Sequence, residues 1–387
     1  MSAYRIPKDP LLQWSLLLPN RRRPLPAALN RPTVAHLFWA RNALYHGTKA
    51  LGLPPGATIL APAYHCASAI EPLLQAGARI QYYRVTRSGA ADLQDIDAKI
   101  NGSTAAVLAI HYFGLPQPIA ELRTLCTRRR LWMIEDCAHV LAGWTDGGTL
   151  GTFGDVAVFS LRKLLPLCDG GQLLLNHSSL RMPTGWTSPS WLYALKEMKQ
   201  VIDKIADDSG GVVASTLSRL VRLPARLLRR STSGEGAGGA LSLNSFSMDF
   251  DLAMASVPMS RWSSRIMGNV SIPEVVARRR ANYADLVKRL DGMAAVRCAV
   301  PDLPAGACPW ICPVLAPERT DLHIVLRSRG IPAATWGGVI HPSLPIDDFP
   351  DARFLYDHLY FLPVHQDLGP REMDVLAAAV RAVASAA

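Results

Sequence analysis

The chain has 387 residues, 49% of them hydrophobic, and a formal net charge of +10. That length and apolar content suffice for a large core, and they predict a main domain with a smaller one beside it. No run approaches the ~20 apolar residues of a membrane-crossing helix, the N-terminus MSAYRIPKDP lacks an apolar signal core, and the positive charge favours anionic partners with no nucleic-acid motif beside it.

Residues 1–30 read as a basic, Pro-rich arm, with Arg21, Arg22 and Arg23 between leucine–proline pairs. The apolar spacing of Leu37–Leu53 predicts a helix ending at Gly52 or at the Pro54-Pro55-Gly56 turn. Next come a strand, a turn at Pro62, a helix, a turn at Gly77 and a second strand. ADLQDIDAKI is an acidic amphipathic segment, AAVLAIHYFG a strand ending at His111, and ELRTLCTRRR a helix. Strands alternating with helical segments predict an α/β fold with a mostly parallel, helix-covered sheet.

Leu131–Asn176 holds three short apolar runs, MI, VAVFS and QLLLN, with polar residues at their ends. Strands buried on both faces belong to a covered sheet, and open α/β sheets bind ligands beyond their strand ends. Glu135-Asp136 closes the first run, Ser160 the second, and Lys163 precedes Asp169-Gly170-Gly171. Singly, Asp136 could cap a helix, Ser160 could end a strand, His139 could be a helix histidine and Lys163 a solvated loop residue. Together, an acid, a hydroxyl and a lysine in one crevice suit pyridoxal 5′-phosphate. That cofactor needs a lysine, a carboxylate facing its pyridinium nitrogen, and donors for its phosphate.

Beyond Asn176 the alternation breaks. WLYALKEMKQVIDKIADD reads as helix, and Leu217–Arg230 as a basic amphipathic run interrupted by Pro224, a candidate for weak peripheral contact with anionic membrane. STSGEGAGGALS reads as a linker. Pro273–Leu290 predicts a helix with its basic residues on the exposed face. Seven scattered cysteines suggest free thiols in a reducing compartment, hence a cytoplasmic protein. Cys308 and Cys312 flank Pro-Trp-Ile without the further ligands of a zinc site, so no metal is expected.

IEDCAH, GTFGD, FSLRK and DGG, in that order, resemble the DegT/DnrJ/EryC1/StrS family of fold-type-I sugar aminotransferases. That family's pattern runs roughly IEDAAQ, GSFGD, FSF, a lysine, then EGG. The resemblance is close over residues 33–180 and looser over 245–387. It implies an aspartate-aminotransferase-like fold. A basic arm (1–30) would precede a large cofactor-binding domain (31–250, with a helical, basic insertion at 177–243) and a smaller α+β C-terminal domain (251–387). It implies Lys163 as the Schiff-base lysine, Asp136 facing the ring nitrogen, and His139 and Ser160 as further cofactor ligands. Where the family carries a small-residue phosphate turn, often SGTAAL, this chain has Ala40–Leu44, so Arg41 and Asn42 are the candidate phosphate donors. The family's ring-stacking aromatic follows Pro62, where either Tyr64 or His65 qualifies.

Four departures stand out. The Ser160–Lys163 loop is shorter than the common form, Asp169 replaces a glutamate, the phosphate-turn glycine is missing, and Asn244–Met248 matches the family's intersubunit NYRM motif without its arginine. The implied activity is transfer of an amino group from an amino acid, glutamate in the family, to a keto-sugar, nucleotide-linked in that family. It would serve polysaccharide or secondary-metabolite synthesis and act as a homodimer. Related sugar dehydratases carry histidine at the position of Lys163. A non-catalytic cofactor-binding regulator or degenerate partner subunit is the alternative, motivated by the missing glycine and arginine.

Overall fold

The computed structural model describes residues 6–18, 34–187, 191–209 and 250–384. In chain order the main-sheet region carries strands β1 (Val34–Leu37), β2 (Thr58–Pro62), β3 (Arg79–Tyr83), β4 (Thr104–Ile110) and β5 (Trp132–Cys137). The small hairpin β6 (Trp144–Thr145) and β7 (Gly148–Thr149) follows, then β8 (Val156–Ser160) and β9 (Gly171–Leu175). The seven-stranded sheet has the order β1-β9-β8-β5-β4-β2-β3. Pairings from β8 through β3 are parallel, whereas β9 runs antiparallel to both β8 and β1.

Parallel neighbours need covered crossovers, and α2 (Glu71–Gln75), α3 (Leu93–Lys99) and α4 (Ile119–Arg129) supply them; α1 (Ala40–Ala50) leads from β1 into β2. Every residue of β2, β8 and β9 is buried, as continuous apolar runs in a two-sided sheet require. The crossovers put the C-terminal ends of β4, β5 and β8 side by side. Antiparallel β9 brings Gly171 opposite Ser160, and β1 brings Leu37 opposite Gly171.

β10 (Arg297–Cys298), β11 (Ile311–Leu315) and β12 (Leu359–Pro363) form a separate antiparallel sheet. Helices Ile272–Leu290 and Pro370–Ala384 cover it, and with Leu322–Ser328 they enclose a second core that includes Tyr283, Leu326, Tyr360 and Val380. The first core also takes Met259, Ile266, Trp336 and Tyr356 from beyond residue 250.

Several expectations change. The helix read over Leu37–Leu53 is α1, shorter at both ends, and the strand β1 before it was not read; four residues carry too little periodicity to show, and its partner β9 lies far along the chain. The described part of the arm is pinned rather than loose: Ile6 enters the second core and Leu12 the first. Leu11 N–H donates to Asp367 at 3.0 Å, Leu12 N–H to Asp208 at 2.7 Å, and Asn269 Nδ2 to the Leu16 and Leu18 carbonyls. Arg279, expected on an exposed helix face, is fully buried. Arg21–Arg23, Leu217–Arg230 and Asn244–Met248 lie outside the described residues.

Candidate active site

The cleft opens where β5 and β8 end. It encloses about 620 Å³ open to solvent, and its walls include Asp136, His139, Ser160, Arg162, Lys163, Arg41 and Trp336.

The acidic pair that ends β5 divides its work. Glu135 is fully buried; its carboxylate accepts N–H groups from Gly151 (2.6 Å), Phe153 (2.9 Å) and Gly154 (2.8 Å) and the His111 ring N–H at 3.0 Å. His111 Nδ1 accepts from Gln117 N–H, so its proton sits on Nε2 and points at Glu135. Burial pushes the Glu135 carboxyl up, but His111 and the backbone donors outweigh it and hold it below its usual range. His111, Glu135 and Cys137 together place three potential metal ligands within 4.8 Å of one another. The donors on Glu135 and the committed nitrogens of His111 make this a hydrogen-bonded core. The GTFGD loop is thus wrapped around Glu135, and a Cβ at Gly154 would sit 2.7 Å from the Glu135 Cβ.

Asp136 faces the cleft. One oxygen accepts Ala138 N–H at 2.8 Å, so the cap-like role is real but uses half the carboxylate. Among the described residues the other oxygen has no donor. Burial raises its pKa, with the Ala138 amide and Lys163 pulling it back. His139 lies in the turn after β5, not in a helix. Its Nδ1 accepts Phe113 N–H at 3.2 Å, and its ring stacks on Trp310 at 4.3 Å and 18°. Burial, then the Lys163 charge, push its pKa well below the usual value, so it is neutral.

The short loop after β8 is a single tight turn, Leu161–Lys163, in which Leu161 enters the core. The Lys163 amine lies over the Trp310 ring, 5.1 Å from its centroid. Burial lowers its pKa, opposed by Cys66 and Asp136 and assisted by Arg162 and Arg41. Arg279 anchors the next residue: its guanidinium donates to the carbonyls of Leu164 (2.9 Å), Trp310 (2.9 Å) and Pro309 (3.2 Å) and to Gln366 Oε1 (2.9 Å).

DGG follows. Gly170 N–H donates to the Phe38 carbonyl at 2.8 Å, and a Cβ on Gly171 would lie 2.1 Å from the Trp39 carbonyl carbon. Glycine there lets β9 press against the first turn of α1 and brings Trp39 and Arg41 into the cleft wall. Asp169 accepts from Ser260 N–H and Ser263 Oγ, fastening DGG to helix Arg261–Asn269.

Of the expected site residues, Lys163, Asp136, His139, Ser160 and Arg41 converge on the cleft. Asn42, Tyr64 and His65 do not line it. The Asn42 amide is committed to the Met254 carbonyl at 2.6 Å. Tyr64 is fully buried against Trp336, Tyr112 and Tyr356, behind the cleft wall. His65 lies flat on Tyr82 and donates from Nδ1 to the Pro62 carbonyl. After Pro62 the turn Ala67–Ala69 presents Cys66 and Ser68 to the cleft instead. Trp310, Trp336, Arg162 and Cys66 went unread; Arg162 alone had a local signal, standing between two residues already singled out. The residues fit pyridoxal phosphate: a half-satisfied carboxylate, an amine held without a carboxylate partner, and a buried serine hydroxyl face one space.

Residues 39–183 match the model of the DegT/DnrJ/EryC1/StrS aminotransferase family. A GDP-perosamine synthase from Vibrio cholerae is 33% identical over 137 residues, covering 35% of this chain and 37% of that protein. A dTDP-4-dehydro-2,3,6-trideoxy-D-glucose 4-aminotransferase from Saccharopolyspora spinosa is 33% identical over 33% of this chain and 34% of its own length. The chain thus aligns with little more than a third of these relatives. The solved structure of an aminotransferase from Streptoalloteichus hindustanus superposes with a TM-score of 0.65 at 22% identity, over 92% of this chain and 86% of that one. The fold is that of the sugar aminotransferases.

Proposed function

We propose that this chain, which over residues 39–183 carries the pattern of the DegT/DnrJ/EryC1/StrS aminotransferase family, is a pyridoxal-phosphate-dependent aminotransferase. It would move an amino group from an amino acid, glutamate by resemblance, to a nucleotide-linked keto-sugar, as a cytoplasmic homodimer. The observation that carries the reading is the convergence of Asp136, Ser160 and Lys163 on one cleft. The substrate class follows the names of the relatives.

Bound pyridoxal phosphate supplies an aldehyde that carries the amino group and a ring that withdraws electrons from the substrate carbon. Lys163 Nζ would hold the cofactor covalently. The same nitrogen, once free, would take the Cα proton of the amino donor and give one back, base and acid in turn. A lowered pKa suits that double role. The free Asp136 oxygen would keep a proton on the ring nitrogen. His139, neutral and stacked on Trp310 in the cleft wall, would help hold the cofactor ring without adding charge. Trp310, under the amine, and Trp336, in the cleft wall, would limit water there.

The test is borohydride reduction of protein incubated with pyridoxal phosphate, a peptide map, and glutamate turnover with nucleotide keto-sugars. The expected result is a reduced adduct on Lys163 and formation of 2-oxoglutarate. An adduct on another lysine overturns the site. Capture on Lys163 with no turnover on any acceptor fits a cofactor-binding regulator instead.

A further inference from the structure

We propose that Arg162, together with Arg41, grips the cofactor's phosphate, so that one chain supplies the cationic end of the site; this rests on the cofactor reading above. The turn Leu161–Lys163 has about three residues per revolution, so one side chain can enter the core while the next two turn outward. Leu161 is the buried one, and Arg162 and Lys163 both line the cleft.

Three further observations assign it an anion. Ser160 is 4% exposed, lines the cleft and caps no backbone group with its hydroxyl. The first turn of α1 opens into the same space with no side-chain cap from Trp39, and a first helical turn carries backbone donors that favour negative charge. Among the described residues Arg162 makes no hydrogen bond or ion pair. The acids facing it are Asp9 and Asp169, and Asp169 is already committed to Ser260 and Ser263. Arg162 is half-buried and hydrogen-bonded to neither acid, and its planar fork matches two phosphate oxygens at once.

The position identifies the anion as the phosphate of the molecule whose ring nitrogen Asp136 meets. Asp136 pairs with Val158, and Ser160 stands two residues beyond, roughly 7 Å along the strand. Carboxylate and cations therefore occupy different ends of one cleft, as a molecule with a basic nitrogen at one end and a dianion at the other requires.

The experiment compares capture of pyridoxal phosphate and of pyridoxal, which lacks the phosphate, by cofactor-free protein, Arg162→Met and Arg162→Lys. Absorbance and borohydride trapping give each dissociation constant. The readout is the ratio of the two constants, because removing a cation raises the Lys163 pKa and weakens both captures alike. Loss of a charge-assisted phosphate contact is expected to shrink the preference for the phosphorylated compound by about 10- to 100-fold in Arg162→Met, and less in Arg162→Lys. Inorganic phosphate should compete with pyridoxal phosphate in the parent protein and much less in Arg162→Met. An unchanged ratio in variants whose circular dichroism matches the parent overturns the proposal. Failure of the parent to trap either aldehyde on Lys163 overturns the cofactor reading instead.

Discussion

Replacing Arg279 with methionine tests whether one buried guanidinium fixes the lysine loop. Arg279 comes from helix Ile272–Leu290, is fully buried, and donates to acceptors on three separate segments. Burial pulls its pKa down from 12.5 to about 10, so it stays charged at neutral pH. Methionine fills much of the volume and removes the cost of burying that charge, but it leaves the carbonyls of Pro309 and Trp310 and the Gln366 oxygen short of a donor. The Leu164 carbonyl keeps Gln366 Nε2 at 3.2 Å. At ~1–3 kcal/mol per orphaned group, offset by ~3 kcal/mol for the charge no longer buried, the expected net loss is ~3 kcal/mol. At ~2–4 °C per kcal/mol that lowers the melting temperature by about 6–12 °C. Arg279→Lys should fall between, since one ammonium cannot span four acceptors. Because Leu164 follows Lys163, capture of pyridoxal phosphate by the still-folded variant should slow about tenfold, a loss of ~1.4 kcal/mol of positioning. Differential scanning fluorimetry and stopped-flow absorbance measure the two effects. A melting shift under 2 °C together with an unchanged capture rate would refute the reasoning.

Asp136→Asn should keep the fold and cost about a hundredfold in glutamate half-reaction rate, ~3 kcal/mol for one transition-state interaction; near-parental single-turnover rates would leave Asp136 only its bond to Ala138. Glu135→Gln should destabilise by ~3–5 kcal/mol at pH 7, since an amide NH₂ must face a backbone donor. The Glu135 carboxyl is held below its ordinary 4.5, so its contribution is full above pH 4.5 and fades as pH falls through the folded value. Urea melts from pH 7 to 3 should show parent and variant converging, and parallel curves would argue against it. Gly171→Ala should push the start of α1 off β9 and weaken cofactor capture at least tenfold, ~1.4 kcal/mol. Gly102→Ala, with open space around it, is the control, and equal behaviour of the two would remove the close-approach argument.

Local sequence was sufficient for the strand ends and for the groups they carry. β5, β8 and β9 are short, buried and mostly apolar, and their few polar residues fall at or next to a strand end. Asp136 and Ser160 were therefore legible, and Lys163 with them. The aromatic after Pro62 was not. Whether Tyr64, His65 or Cys66 meets the cleft depends on where the turn Ala67–Ala69 starts, which a rotation of one residue decides. Arg279 misled for a related reason: three consecutive arginines look like a solvated face, and only the three-dimensional path of Leu164 and Trp310 shows that the middle one has acceptors to bury against.

The opposite wall was invisible because it is assembled from afar. Trp310 precedes β11, and its N–H is held by the Phe113 carbonyl at 2.7 Å; its ring then spans His139 and the Lys163 amine. Trp336 arrives from a further loop and packs on Tyr64, Phe113 and Phe361. Neither tryptophan has a periodic neighbour that marks it as lining a site, and each would pass as ordinary core. What distinguishes them is that the Lys163 amine lies over Trp310 and that Trp336 lines the cleft. Burial, assisted by the charges of Arg162 and Arg41 and opposed by Cys66 and Asp136, lowers the Lys163 pKa. The apolar wall and the cationic turn thus act on the same atom. Both favour the neutral amine, while Asp136 on β5 keeps one carboxylate oxygen without a donor among the described residues.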